Sequence, residues 1–411
     1  MGMIKTVTRV EKHIVKETNH SYHLLQSFCH KAKNLYNHAN YIVRTTFVMD
    51  NKWVRYAELD KLLRADEDYP DYKEMPTAQT AQQTLRLLDS NWKAFFASIR
   101  DWKAHKDKYN GRPRLPKYLK KDGYQILTLT NQNCKLKDGV LHFPKVFEGF
   151  TIKPQFVNKA NFVSFQQVRF IPHKDRIVAE LIYTINVNES KGNNNRCIGI
   201  DIGVNNLAAV CNNVGLAAFV INGRPLKSIN QHYNKLISHY REVCKRMNNR
   251  DYSKHMNKLT EKRNARIDSY LHKASRMIVN YCERNQINTI VIGKNTEWKQ
   301  NSKLSKRVNQ SFVQIPFARF IEMVQYKAEE KGIAVILTEE SYTSGTSFID
   351  DEYPVKENYN KARRVKRGLF ISNRGIAINA DLNGAYQILK KVTPIKWGSG
   401  CALHPVVVSV S

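Results

Sequence analysis

From Ile4 to Ile14 apolar and polar residues alternate, which predicts a strand. Over residues 21–48 the spacing lengthens: Leu24, Leu25, Phe28, Cys29, Ala32, Leu35, Tyr36 and Ala39 fall on one face of an amphipathic helix. A second helix starts near Pro76, acceptable in a first turn, and carries Leu85, Leu88, Trp92, Phe95, Phe96 and Ile99 toward Lys106. From Gly123 to Val187 the pattern returns to short alternating runs, including Tyr124 to Thr130 and Val140 to Phe143, separated by Asn, Gly, Lys and Pro. These predict a small β-barrel. The strand at Ile4 is a candidate to join it, which would make the two helices an insertion.

The run KGNNNR at 191–196 marks a boundary. Beyond it, candidate strands at Cys197–Ile202, Leu207–Cys211 and Leu216–Ile221 are joined by Asn/Gly turns, the signature of an antiparallel meander. A long charged helical region follows at about 228–285, then a strand at Thr289–Ile292, a helix at Phe312–Lys331 and a strand at Ile333–Leu337. A polar, basic segment with a hairpin around Ser372 to Gly375 leads to a last helix from about Asp381. The order βββ-α-β-α-β-α is the one expected of a ribonuclease H-like mixed sheet, so the chain reads as an α+β multidomain protein.

Charge sharpens this picture. Lys and Arg number 66 against 36 Asp and Glu, a formal net charge of +30 on 411 residues, and a polyanion partner is the natural inference. Basic residues cluster with aromatic ones at Arg112 to Lys121 (RPRLPKYLKK) and recur at Lys361 to Arg367 (KARRVKR). Seven cysteines, none spaced CxxC, point to neither a disulfide framework nor a zinc ribbon. No apolar run approaches a membrane span and the first residues lack a secretory pattern, so a cytoplasmic protein with no membrane partner is expected.

Two aspartates carry candidate chemistry. Asp201 stands in IGIDIGVNN, among Ile198, Ile200 and Ile202 of the first meander strand, where a carboxylate is costly unless paired or metal-bound. An isolated Asp before a turn is more often a hydrogen-bonding residue. Asp381 opens the last helix in INADLNGAYQILKK, a position that also suits the helix dipole without any catalysis. Together, at one edge of the sheet, they suggest Mg²⁺-dependent phosphodiester hydrolysis, which needs a tight group of three or four carboxylates. A third carboxylate is therefore required.

At this point the chain resembles the transposon-encoded TnpB (OrfB) family, RNA-guided nucleases related to the type V CRISPR effectors. The resemblance rests on GIDIGVNNLA at 199–208, the 309–333 run NQSFVQIPFARFIEMVQYKAEEKGI, ESYTSGTS at 340–347 and INADLNGAYQILKK at 378–391. It implies Asp201 as the first carboxylate of a RuvC-type site and Asp381 as the last, holding two Mg²⁺ ions. The family's middle Glu belongs at the end of the fourth strand, where this chain has Gly293. Glu339 and Glu340, ending the fifth strand, are the candidates to replace it. Alternation allows only one of them to point inward, and Glu340 is preferred, with Glu297 ranked third. Many relatives carry Cys pairs before the final Asp; residues 345–378 contain none, so no zinc is expected there.

The resemblance further implies a helical recognition lobe (21–114) inserted in a β-barrel wedge domain (1–20 and 115–195), then a RuvC-like ribonuclease H-fold domain (196–391) and a tail (392–411). The expected activity is RNA-guided DNA cleavage, with guide RNA and target double-stranded DNA as partners and a short flanking motif read by the protein. Candidate nucleic-acid contacts are Lys258, Lys262, Arg263, Arg266 and His272 on the long helix, and Arg363, Arg364 and Arg367 in the basic loop. Arg112, Arg114 and Lys117 add a basic segment in the N-terminal half, where Gln79, Gln82 and Gln83 are placed to read base edges. The rivals are a nuclease-dead guided DNA binder acting as a repressor, a transposase, and a noncatalytic ribonucleoprotein component.

Overall fold

The computed structural model describes residues 4–173, 175–188, 194–294, 314–366, 368–398 and 401–410. The chain divides into two compact units between Asn186 and Val187, with Ile4 and Lys5 belonging to the second.

The first unit begins with β1 (Ile4–Lys16), followed by α1 (Tyr22–Asp50), α2 (Tyr56–Ala65) and α3 (Ala78–Ala104). Then come β2 (Leu127–Thr130), β3 (Lys135–Lys137), β4 (Val140–His142), β5 (Thr151–Ile152), β6 (Phe162–Pro172) and β7 (Arg176–Asn188). The first strand does join the later ones, in a sheet of order β1-β7-β6-β2, so the helices are an insertion between paired strands. The strands expected to form one barrel fall into two hydrogen-bonded sheets, the second of order β3-β4-β5. Strands of two or three residues are too short to continue a ladder around a barrel. The helix α2, with only Leu59 and Leu63 buried, was too short a periodic segment to be read from sequence.

The helices pack through Leu25, Leu35, Leu85, Leu88 and Trp92, all fully buried. Trp92 donates its Nε1–H to Asn40 Oδ1 at 3.1 Å, which satisfies both polar groups inside the core. Thr77 caps α3, accepting from the Thr80 N–H at 3.2 Å.

The second unit contains β8 (Cys197–Ile202), β9 (Asn206–Asn212), β10 (Phe219–Asn222), α4 (Arg224–Asn248), α5 (Lys254–Arg284), β11 (Thr289–Gly293), α6 (Phe317–Glu330), β12 (Ala334–Thr338), β13 (Leu369–Ile371), β14 (Ala377–Asn379), α7 (Ala380–Lys390) and β15 (Val406–Val408). The sheet order β12-β11-β8-β9-β10-β15 places the meander beside two parallel strands, as the element order predicts. The single helical region expected over 228–285 is two helices, broken where Asn249 takes a left-handed conformation with φ 50°. The segment read as a tail is partly structural: β15 pairs in parallel with β10, an outer position where three valines gave no sequence signal of their own. Linker residues 191–193 and the start of the expected helix at 312–313 lie outside the described residues. Among the described residues no helix is long and apolar enough to cross a membrane.

The sheet has two covered faces. Ile198, Ile200, Ile290 and Ile292 point into a core with α5 and α6. Cys197, Ala209, Cys211 and Val291 point the other way, against α7 through Ala385, Ile388 and Leu389. Alternation thus assigns Gly199 and Asp201 to the α7 face. A Cβ on Gly199 would stand 2.5 Å from the Ala385 carbonyl oxygen and 2.8 Å from Leu389 Cβ, so the helix backbone lies directly on the strand.

Because neither neighbour is a flexible side-chain end, Gly199→Ala should displace α7 and destabilise the protein by about 1–3 kcal/mol, lowering Tm by several degrees in a calorimetric scan. An unchanged Tm would mean that α7 leaves the sheet without resistance.

Candidate active site

In the parallel register Val291 stands beside both Gly199 and Ile336, and Gly293 beside Thr338. Asp201, Gly293 and Glu340 each lie an even number of residues beyond these partners, so all three belong to the α7 face at one end of the sheet. Residue 293 has no side chain there, and the space is filled from the neighbouring strand's end. A Cβ on Gly293 would come within 2.6 Å of Glu340 Cγ and 2.7 Å of Glu340 Oε1. Glu340 therefore occupies the volume in which a glutamate at 293 would have to stand.

Asp381 reaches the same corner from α7. Asn379 caps the helix, accepting from the Asp381 and Leu382 N–H groups at 3.1 Å each. The Asp381 carboxylate accepts from Asn206 Nδ2 at 2.8 Å and from Arg364 Nη2 at 3.0 Å. The helix presses onto Asp201 as well: a Cβ on Gly384 would lie 2.8 Å from Asp201 Oδ2. Buried Asn383 ties α7 to the loop that follows Glu340, donating to Thr346 O at 2.8 Å and accepting from the Phe348 N–H at 3.0 Å.

The three carboxylates interact electrostatically. The Asp201 carboxyl is held well above the usual carboxylate range, first by burial and then by the negative charges of Glu340 and Asp381, with Arg364 acting in the opposite direction. The donors are all oxygens, the kind Mg²⁺ takes, and their repulsion is what a divalent cation would relieve. They fit that ion in kind. Among the described residues, however, no three Asp, Glu, His or Cys side chains stand close enough together to grip it, and the cation beside Asp381 is the Arg364 guanidinium.

Other expected site residues lie elsewhere. Glu339 is exposed, with its carboxylate accepting from Ser341 Oγ at 2.5 Å. Glu297 and Arg367 lie outside the described residues. Arg363, expected on phosphate, is instead an internal tie: it is 10% exposed, bonds Glu352 at 2.7 Å and the carbonyls of Gly345 and Asn358, and stacks over Phe370. Arg263 is likewise committed, to Asn230 Oδ1 at 2.8 Å and Gln314 O at 2.9 Å, which locks α5 to its neighbours. Burial and nearby Lys327 push the His272 ring toward its neutral form, so it adds no charge to the stripe. Lys258, Lys262 and Arg266 remain exposed along α5.

In the first unit Gln79 is bonded to Gln132 and accepts from Thr130 Oγ1 at 2.9 Å, while Gln82 and Gln83 are half-buried on α3. Arg112, Arg114 and Lys117 are exposed. Sequence reasoning missed Asn206 and Asn383. The doublet Asn205-Asn206 after the DxG turn was the available signal for the first.

The direction of the Asp201 shift has a consequence for stability. A carboxyl whose folded pKa lies above its unfolded value of about 3.9 destabilises the fold once ionised, an effect complete above the folded pKa and absent below the unfolded one. In metal-free buffer Asp201→Asn should therefore raise Tm near neutral pH, and the gain should vanish as pH falls toward 4; a gain independent of pH would contradict the repulsion.

Residues 180–299 match the OrfB_IS605 family, described as a probable transposase, and residues 317–388 match the Cas12f1-like TNB domain. The CRISPR-associated endodeoxyribonuclease Cas12f2 of a Micrarchaeota archaeon is 25% identical over 317 residues, covering 74% of this chain and 53% of that protein. The chain thus spans about half the length of that relative. TnpB-like protein ORF457 of Acidianus two-tailed virus is 22% identical over 398 residues, covering 88% and 81%. The cryo-EM structure of a Cas12f1–sgRNA–target DNA complex shares the fold, with a TM-score of 0.53 at 15% identity over 89% of this chain and 82% of that one. By these matches the chain is similar to TnpB-family proteins and to Cas12f-type CRISPR effectors along most of its length.

Proposed function

We propose that this protein is an RNA-guided DNA endonuclease whose catalytic carboxylates are Asp201, Glu340 and Asp381. The observation that carries the proposal is the Glu340 side chain at the vacancy left by Gly293, on the same face as Asp201. The partners are a guide RNA and target double-stranded DNA, as in the Cas12f1 complex whose fold the chain shares. Base pairing selects the sequence and the protein recognises a short flanking motif. The insertion of helices α1–α3 is the recognition lobe, the sheets around it form the wedge, and the second unit is the RuvC-like nuclease.

Asp201, Glu340 and Asp381 would hold two Mg²⁺ ions. The chemistry supplied by the bound ions is Lewis-acid stabilisation of the charge that develops in phosphodiester hydrolysis, with activation of the attacking water. The protein's own contribution is positioning. Asn206 orients Asp381, the Asn379 cap fixes its helix, and Arg364, 38% exposed, offers a guanidinium edge to the scissile phosphate. Lys258, Lys262 and Arg266 follow the backbone of the bound heteroduplex along α5. Glu339 has no catalytic role.

A second reading, a guided DNA binder without cleavage, is favoured by the absence of a side chain at Gly293 and by the guanidinium already seated on Asp381. The two readings separate when the full-length protein, with its copurified RNA, is given Mg²⁺ and DNA matching that RNA beside randomised flanks. Cleavage is expected, reduced roughly 100-fold or more by Asp201→Ala and by Glu340→Gln and little changed by Glu339→Gln. Binding without cutting by the wild type would establish the second reading; equal loss in both Glu variants would remove Glu340 from its special role.

A further inference from the structure

Residues 112–121 do not form a strand or helix, yet they are held firmly along α1. Lys33, Asn37, Asn40 and Arg44 recur at helical spacing on that helix and each donates to a backbone carbonyl of this segment: Lys33 Nζ to Lys121 O at 2.7 Å, Asn37 Nδ2 to Leu119 O at 2.9 Å, Asn40 Nδ2 to Pro116 O at 3.2 Å and Arg44 Nη1 to Pro116 O at 2.8 Å. The Leu119 N–H returns a bond to Asn37 Oδ1 at 2.8 Å. A polar stripe on α1, buried at Lys33 and Asn40 and half-buried at Asn37 and Arg44, is thereby satisfied, and the strap is fixed in place before any ligand arrives.

Between the strap and helices α1 and α3 lies a cleft of about 530 Å³, within the roughly 300–1,000 Å³ usual for small-molecule sites. Its floor is aromatic: Phe47, Phe95 and Phe96 line it, and Trp53 and Trp92 pack behind with ring centroids 5.0 and 5.8 Å from Phe96. Its rim is cationic. Arg112, Arg114 and Lys117 are exposed there and form no ion pair among the described residues, and no lining residue is acidic.

We propose that this cleft accepts one unstacked nucleobase of a bound nucleic-acid strand, with its ring against the phenylalanines and the adjoining phosphates on Arg112, Arg114 and Lys117. An aromatic floor alone would suit any apolar group. The row of uncompensated cations along the strap selects a ligand that is flat, apolar at its centre and flanked by negative charge, which describes a nucleotide within a strand. A paired base, stacked within a duplex, cannot enter a concave site, so the strand must be single or locally opened. The inference rests on the nucleic-acid-binding part of the proposed function and is independent of cleavage.

The full-length protein irradiated with short-wave ultraviolet light on fluorescein-labelled oligothymidylate should yield nucleotide adducts on Phe47, Phe95 or Phe96, mapped by mass spectrometry. Phe95→Leu, which keeps apolar volume but removes the ring, should weaken binding of that oligomer about tenfold, the worth of one stacked base, and leave binding of the same oligomer built with abasic sites unchanged. Adducts confined to other segments overturn the proposal even if the variant fails to fold. Equal weakening toward both oligomers overturns it too, because the ring would then matter only for packing. A change in self-association with unchanged oligomer binding would assign the cleft to contact between copies of the chain. Absence of any adduct or binding would sink the nucleic-acid reading itself, whereas adducts at the cleft in a protein that cuts no DNA would uphold the inference alone.

Discussion

The closeness of α7 to β8 is the contact on which the second unit depends. Gly199 on the strand leaves room for the helix carbonyl of Ala385, and Gly384 on the helix leaves room for the Asp201 carboxylate. Each element has given up a side chain where it meets the other, and the gain is proximity between two carboxylates far apart in sequence. Burial and mutual repulsion then raise the proton affinity of Asp201. The corner is under electrostatic strain by construction, and Arg364 on Asp381 offsets part of it.

Placement of the third acid follows from the same geometry. In a parallel sheet the ends of adjacent strands lie side by side, so a side chain can come from either strand and arrive in one volume. Here β11 ends in glycine and the residue two past the end of β12 is Glu340, whose side chain folds back over that glycine. A carboxylate at both positions would overlap, and at neither would leave the corner with two acids only. Loss at one position and gain at the other are thus sterically linked.

Most of the second unit was legible in the sequence because its central strands β8, β9 and β11 are apolar runs buried on both faces and its helices are strongly periodic. The order of elements and the insertion of helices after β1 were legible in the patterning, and alternation limited the inward-pointing carboxylate to one of Glu339 and Glu340. What escaped were features fixed by distant contacts. The pairing of β15, the short α2 and the splitting of the β-rich region into two sheets carry no local period. Arg263 and Arg363 looked like surface cations because charge says nothing about burial; only the structure shows Glu352, Gln314 and the backbone carbonyls that take up their hydrogen bonds. Asn206 and Asn383 were invisible for the converse reason: amides orient their neighbours through geometry that composition does not encode.

The pairing of β10 with β15 has a temporal side. The outer strand comes from residues 406–408, whereas its partner at 219–222 leaves the ribosome much earlier. Until those late valines emerge, β10 presents an open row of backbone donors and acceptors, the kind of edge through which chains pair with one another. The six-stranded sheet is therefore closed on that side only once residues 406–408 have emerged, and until then the nascent chain must be kept from sheet-to-sheet association by other means, with the high positive charge of the sequence the obvious one.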